Sequence, residues 1–453
     1  MSEPPKKPAR EGSLDAPFRH PIAWQDDDYY DLAKVEAEME RQFDVCHTCR
    51  RCFNLCDSFP KLFDLIDESP TGELDSVPKA DYAPVAEACT LCDMCFMTKC
   101  PYVPPHEFNI DFPHLILRYR AAKRKAGERE FIREQLGETD RNGKLAKPVA
   151  GLANWATARR NTPLRGLLEA IAGIDREAEL PKYHSKTATD RLASPVAPDP
   201  SGPAFGQRKA VLYATCFVDY NTPDTAVAAA RVLARQGVEA RLLYPECCGM
   251  PQLESGDLAD VAARAVRVAK AFAPFVEQGY DVVALTASCG LMMKFEWPLL
   301  LPDNHEVARL AAAVRDVSEY VVDIARTFGL APGLGKVEGG VTIHHACHAR
   351  AQNMGAKSAE MLRLIPETAV ELVERCSGHG GTFGVMKKTR PMAVKVGKPA
   401  ARQVAQKASA ELCSDCPLAC KHLGQLLSVE SPGPAQPRQS HPIEVFARAY
   451  GLL

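Results

Sequence analysis

Eight cysteines between residues 46 and 100 constrain this chain more than any other feature. They fall into two groups, C-H-T-C-R-R-C-F-N-L-C at 46–56 and C-T-L-C-D-M-C-F-M-T-K-C-P at 89–101. Each group sets three cysteines two residues apart and adds a fourth slightly further on. The chain has 17 cysteines in all, and they come in tight, ligand-like groups. The opening residues, M-S-E-P-P-K-K-P-A-R, have no apolar core after their charges. No secretory signal is therefore expected, and the cytoplasm is the expected location. There a disulfide framework gives way to metal ligation. Zinc knuckles use C-x2-C pairs and not two separate triplets.

The spacing is that by which bacterial two-cluster ferredoxins hold [4Fe–4S] cubanes. A cubane takes one thiolate per iron. A triplet on one tight turn serves three irons, and the fourth thiolate comes from the other motif. Two [4Fe–4S] clusters are thus expected, one on Cys46, Cys49, Cys52 and Cys100, the other on Cys89, Cys92, Cys95 and Cys56. The repeat is irregular: Pro101 follows Cys100 but Asp57 follows Cys56, and the last gap has four residues instead of three. His47, Arg50, Arg51 and Lys99 lie among these ligands as cations that would raise a cluster's potential, or as plain surface charges. Phe53, Leu55, Leu91, Met94, Phe96 and Met97 read as an apolar shell or as ordinary core.

A chain of 453 residues with 46% hydrophobic side chains holds two or three domains with a sizeable core. Its 55 basic and 57 acidic residues give a net charge of −2, which points away from nucleic acid. No run of 18 apolar residues occurs, so no membrane span is expected; peripheral attachment at the inner face of the cytoplasmic membrane stays open. Residues 1–26 read as a disordered arm. Residues 27–125 read as an all-helical two-cluster domain, with a helix over 27–43, an amphipathic turn at 61–67 and a helix beginning in 83–88. Residues 126–207 read as a connector. The charged stretch Arg118–Gln135 is expected to be a helix with a solvated face, and 181–207, rich in Pro, Ser, Gly and Thr, a linker.

From Lys209 strands alternate with helices, which implies parallel sheets. K-A-V-L-Y-A-T (209–215), V-E-A-R-L-L-Y (238–244) and D-V-V-A-L (281–285) read as strands. Helices are expected over 222–236 and 257–277. The pattern recurs with G-V-T-I-H-H (340–345), a helix near 358–364, A-V-E-L-V (369–373), a helix in 398–409 and a short strand before Cys413. The expected fold is α+β and multidomain, with two α/β repeats over 208–335 and 336–453. Cysteines fall at matching strand ends: Cys216, Cys247, Cys248 and Cys289 in the first repeat, Cys347, Cys376, Cys413 and Cys416 in the second. The separation from Cys216 to Cys247 is 31 and from Cys347 to Cys376 is 29. Strand ends are where open α/β sheets assemble sites, so each repeat is expected to bring four thiolates to one metal.

The C-x(n)-C-C-G-x(n)-C arrangement resembles the cysteine-rich domain of the B-type component of heterodisulfide reductase. The helical region in front resembles the C-type component of the same enzyme. Their fusion resembles the iron–sulfur (C-type) component family of anaerobic glycerol-3-phosphate dehydrogenase and, more loosely, the iron–sulfur components of glycolate oxidase. The resemblance runs from about residue 40 to the end and includes L-P-K-Y (180–183), H-H-A-C-H (344–348), G-G-T-F-G (380–384) and H-P-I-E-V (441–445). In the heterodisulfide reductase family a full repeat supplies five cysteines to a non-cubane cluster. Here Thr286 stands where a fifth cysteine would, and Ser377 replaces the second cysteine of the pair. Four thiolates per repeat suit additional iron–sulfur clusters or zinc, with Cys420 a spare and His344, His345, His348 and His379 available to complete a site.

The resemblance implies an iron–sulfur electron-transfer subunit, with Cys247, Cys248 and Cys376 the candidate redox site. No G-x-G-x-x-G follows a strand, so the expected partner is a separate flavin-containing dehydrogenase subunit, with a quinone or a soluble redox protein as acceptor. The alternatives are a redox module feeding a peroxide-defence or di-iron partner, and a heterodisulfide or thiol reductase acting at the cysteine-rich site.

Overall fold

The computed structural model describes residues 16–431 and 436–453. Of the expected arm, 1–15 lie outside the described residues, but 16–26 are packed: Ile22 is buried and its N–H donates to Leu299 O at 2.8 Å. Apolar and charged anchors, Ile22 and Arg19, outweigh the polar composition of this segment.

The region before Lys209 is built from helices. Asp31 caps the helix Leu32–Cys49 by accepting from the N–H groups of Ala33 and Lys34. Val35, Met39 and Phe43 recur at four-residue spacing and are fully buried. They pack with Phe59, Leu62, Phe63 and Ile66 of the helix Ser58–Asp67. The first helix runs six residues past its expected end, so Cys46 and Cys49 sit on its last turn. Arg50, at φ 51°, stops it in the left-handed region. The charged stretch is two helices, Phe112–Lys125 and Phe131–Gly137, parted near Gly127 (φ 93°). It is not simply a solvated face, because Arg120 donates to the carbonyls of Ala86, Cys89 and Glu254.

The strands β1 (Lys209–Tyr213), β2 (Glu239–Leu243), β3 (Asp281–Ala284) and β4 (Val314–Asp316) form a parallel sheet in the order β2-β1-β3-β4. The strands β5 (Val341–His344), β6 (Val370–Val373), β7 (Glu411–Ser414) and β8 (Arg438–Ser440) repeat it as β6-β5-β7-β8. The edge strands β4 (V-R-D) and β8 (R-Q-S) escape sequence reading because three residues with charged members carry no apolar run. The helix expected within 398–409 begins at Arg390 and passes through Pro399.

Side chains of a strand alternate between faces, and β1 uses both. Val211 and Tyr213 enter a core shared with the N-terminal helices; Ala210 and Leu212 enter another shared with Val341, Ile343 and Phe446 of the second repeat. Both cores therefore cross the boundaries expected from sequence. The expected linker at 181–207 is likewise packed: Ala188 and Ala204 are buried, and Asp199 N and Ala204 N donate to Ala234 O and Gln236 O at 2.8 and 2.9 Å. Among the described residues no helix is long and apolar enough to cross a membrane.

Candidate metal centre

In each sheet the chain leaves the central strand to one side and returns to the other, which opens a crevice beyond the carboxyl ends of the strands. The cysteines of the first repeat occupy that crevice. Thr215, strained at φ 60°, follows β1 and turns the chain so that Cys216 starts a short helix, Cys216–Tyr220. Cys247 and Cys248 follow β2 and end on Gly249 at φ 84°. Cys289 lies in the helix Ala287–Leu291 after β3. Cys247 Sγ is 3.6 Å from Cys216 Sγ, and Cys248 Sγ is 3.2 Å from Cys289 Sγ.

The loop bearing the pair is held from three sides. Trp297 Nε1 donates to Cys248 O at 3.1 Å, Tyr213 Oη donates to Glu246 O at 2.7 Å, and Cys247 N donates to Asp140 Oδ2 at 2.8 Å. Asp140 belongs to the connector, whose sequence carries no motif to announce it. Hydrogen bonds from Cys216 and Cys248 hold the Cys247 thiol well below its ordinary range, whereas those same bonds, with burial, push its neighbours up. Sulfurs this close share their protons, and a cation that displaces those protons would find a thiolate ligand set.

In the second repeat Cys347 starts the helix Cys347–Ala351 after β5, and Cys376 follows β6. Cys376 Sγ accepts from Gly378 N at 3.3 Å. The hydrogen bond from Cys347, against the effect of burial, brings the Cys376 thiol down to about 7. Cys416 stands just before the helix Pro417–Glu430, beyond β7.

Cys413 does not join them. It points into the core from β7 with no exposure, among Val341, Ile343 and Phe446. Cys420 is also a core residue, its thiol donating to Leu412 O at 3.4 Å. The sequence spacing places Cys413 near the site, but it lies within β7, short of the strand's carboxyl end, and its side chain packs into the core between the repeats. Cys413→Ala is therefore expected to leave the metal content unchanged and to cost about 1–2 kcal/mol of stability as a small core deletion. Metal analysis together with urea unfolding checks both parts.

The sulfurs of the two repeats face one shared cavity. Cys216, Cys247, Cys248, Cys289, Cys347, Cys376 and Cys416 border one cavity of about 210 Å³, together with Cys56 and Cys92 from the N-terminal motifs. Ala287 N donates to Asp415 O across the repeats, and Gln352 Nε2 to Ala287 O at 3.1 Å. The sulfurs of Cys376 and Cys92, with burial, push the Cys347 thiol well up. The loop after Cys376 closes the cavity against the N-terminal side: a Cβ on Gly380 would meet Thr90 Cγ2 at 2.6 Å, beside Cys89.

Cys46, Cys49, Cys52 and Cys100 line a second, smaller cavity with Val45, Phe59, Tyr102 and Ile110. Burial and the neighbouring sulfurs push Cys46 up, Cys52 to about 12 and Cys100 to about 11. Cys56, Cys89, Cys92 and Cys95 form another mutually interacting set, where burial again raises Cys56, Cys95 and, to about 11, Cys89. Thiols buried this way lose their protons when a cation binds in their place, and all-sulfur donor sets select soft iron–sulfur chemistry. Among the described residues no three or more His, Cys, Asp or Glu side chains are grouped to hold a single metal ion; the sulfurs border volumes instead.

Leu91, Met94 and Phe96 are buried around these sulfurs, but Phe53 is 58% exposed and shields nothing. His47 and Arg50 are paired with Asp67, so they do not act as free cations toward the sulfurs. Three histidines border the large cavity, His344, His348 and His379. His344 is saturated, with Nδ1 3.0 Å from Ser414 Oγ and Nε2 2.9 Å from Arg375 O. His345 faces Glu374 at 3.3 Å and does not line the cavity.

The cysteine-rich domain family, named for its C-C-G motif, matches twice, over residues 210–294 and 341–422, the two halves that face this cavity. The chain is 30% identical to lactate utilization protein A of Geobacillus thermodenitrificans, over 39% of this chain and 74% of that protein. The chain belongs to the cysteine-rich CCG-domain family. It is also 27% identical over 326 residues to the C-type subunit of anaerobic glycerol-3-phosphate dehydrogenase from Escherichia coli K12, covering 71% of this chain and 77% of that one. The B-type subunit of fumarate reductase (CoM/CoB) from Methanothermobacter marburgensis is 29% identical over 48% of this chain and 42% of its own length. Within the CCG family the second C-C-G of this chain is Cys376-Ser377-Gly378, so the pair supplies one sulfur to the cavity instead of two.

Proposed function

We propose that this protein is the iron–sulfur electron-transfer subunit of an oxidoreductase. Two [4Fe–4S] clusters, on Cys46, Cys49, Cys52 and Cys100 and on Cys89, Cys92, Cys95 and Cys56, would carry single electrons to further metal in the CCG cavity. The observation that carries the reading is that Cys56 and Cys92 of the second N-terminal set line the same cavity as Cys347 and the other CCG sulfurs. Electrons arriving at the N-terminal motifs would thus reach the CCG metal without crossing solvent. The chain's own residues supply ligation, an apolar shell and fixed spacing; the bound clusters supply the redox chemistry.

Two of the relatives are named as subunits of a dehydrogenase and a reductase, which supports a separate dehydrogenase partner. A flavin on that partner as donor, and a quinone or soluble redox protein as acceptor, complete the proposal. Thr286 and Ser377, each standing where a further sulfur would strengthen a disulfide-cleaving site, favour relay over thiol reduction.

An iron and sulfide count on anaerobically purified protein tests the reading. More than about 8 irons per chain are expected, since two cubanes alone take eight. Protein without cluster-bound iron would sink it. Cys52→Ser is expected to remove one of the two cubane signals in the reduced spectrum and to leave the CCG metal in place. Equal loss of all signals would show that the sets assemble as one unit.

A further inference from the structure

The CCG cavity is asymmetric. The first repeat presents four sulfurs, Cys216, Cys247, Cys248 and Cys289, while the second presents Cys347, Cys376 and Cys416. The sequence position that would add a fourth holds Ser377, and Cys413 is turned into the core. A metal bound at the second repeat therefore lacks a donor that the first repeat has.

One side chain near Cys376 answers that deficit. His379 borders the cavity and is 8% exposed, and its Nε2 is buried with no hydrogen-bond partner. Buried polar atoms are nearly always satisfied, so an orphaned ring nitrogen at the wall of a sulfur-lined cavity needs a reason. The other histidines do not share this position. His344 has both nitrogens engaged, and His348 Nε2 lies 3.4 Å from Leu91 O. The Nε2 atoms of His345 and His422 are also unpartnered, but neither residue borders the cavity. The backbone carries His379 to the wall through left-handed residues on both sides, Gly378 at φ 76° and Gly380 at φ 54°.

We infer that His379 is an imidazole ligand of an iron–sulfur cluster at the second repeat, sharing the cavity wall with Cys347 and Cys376. The inference deepens the electron-transfer reading and rests on it only in taking the CCG cavity to hold metal. Burial, with His422 beside it, keeps His379 neutral, the form in which imidazole ligates. Exchanging a thiolate for a neutral imidazole removes negative charge from the centre and raises its potential, as in iron–sulfur centres with histidine ligands. The second repeat also approaches the second N-terminal motif, at Gly380 and Thr90, so the site nearest the incoming electrons would be the easier of the two to reduce.

The test uses the full chain, purified anaerobically and labelled with 15N-histidine. Iron and sulfide are counted. Pulsed EPR of the reduced protein is expected to show a histidine nitrogen coupling in a signal distinct from the N-terminal cubanes. His379→Gln should lose the nitrogen signature and weaken metal retention at this centre by about tenfold or more, at least the loss typical for a supporting residue. His379→Cys should restore retention with sulfur-only coordination. Sulfur-only coordination of the second-repeat metal in the labelled wild type would overturn the inference without need of any variant. So would a His379→Gln protein with unchanged metal and spectrum. Failure of the electron-transfer reading looks different: the N-terminal cubane signals would be missing while the nitrogen ligation remained measurable.

Discussion

Arg19→Met is expected to lower stability by about 3–5 kcal/mol at neutral pH, the cost of removing one partner from a buried ionic cluster. Arg19 lies over the Phe96 ring at 4.3 Å and reaches three carboxylates: Asp93 at 2.7 Å, Asp111 at 2.9 Å and Glu296 at 3.2 Å. These come from the second cysteine motif, the helix that follows it and the first repeat. A residue near the start of the described chain thus pins the Cys89–Cys100 loop to the α/β region. Met fills part of the space but leaves three negative charges facing one another out of water.

The pH dependence has a definite sign. Burial and Arg19 both push His114 down, but Asp111 and Glu296 outweigh them and raise it. A raised histidine stabilises the fold below its unfolded value, about 6.5, and that contribution is lost as pH rises through the folded value. Without Arg19 the repulsion disappears while the carboxylates remain, so His114 rises further and takes over part of the missing charge. The deficit of the variant should therefore be larger at pH 8 than at pH 5.5. Glu296, which burial raises but His114 and Arg19 hold down to about 2, stays ionised across this range. Urea midpoints measured anaerobically at both pH values check the prediction; equal midpoints for wild type and variant would refute it.

The second large effect is expected from Gly378→Ala. At φ 76° a side chain is already strained, and here its Cβ would stand 2.0 Å from Ala393 O and 2.8 Å from Gly397 N. Both are backbone atoms of one helix and cannot rotate aside. The loop must move, and it carries Cys376 and His379. Loss of the second-repeat metal is expected, with the N-terminal cubane signals retained. Gly279→Ala is the control, since Gly279 has φ 80° but nothing within 4 Å of the added carbon. It should show the cost of the backbone conformation alone, about 1–2 kcal/mol, with full metal content. Retention of all metal in Gly378→Ala would show that the loop tolerates displacement.

Much of the fold is legible without coordinates. The strands around Val211, Ala240 and Val283 and the helix Leu258–Glu277 announce themselves by apolar runs and periodicity. The cysteine spacing also groups Cys46 with Cys100 and Cys56 with Cys89, which the structure brings together. What stays hidden depends on contacts between distant segments. The residues 16–26 and 181–207 read as loose because their composition is polar, yet a few buried side chains and backbone hydrogen bonds tie them down. Cys413 and Cys416 are alike in sequence, but Cys413 lies within β7 and packs into a core, while Cys416 lies beyond the strand's carboxyl end and borders the cavity. Asp140 carries no motif of its own, and His379 is one of four histidines the sequence offers alike, set apart only by its place in the structure.

Cysteine spacing and strand–helix alternation thus determine locally which sulfurs share a turn and that the α/β unit occurs twice, because both follow from short-range geometry. Tertiary structure decides that the two repeats and the N-terminal motifs face one cavity. That outcome depends on two cores formed across the segment boundaries, and on loops such as Gly378–Gly381 whose positions are set by packing against residues hundreds of positions away.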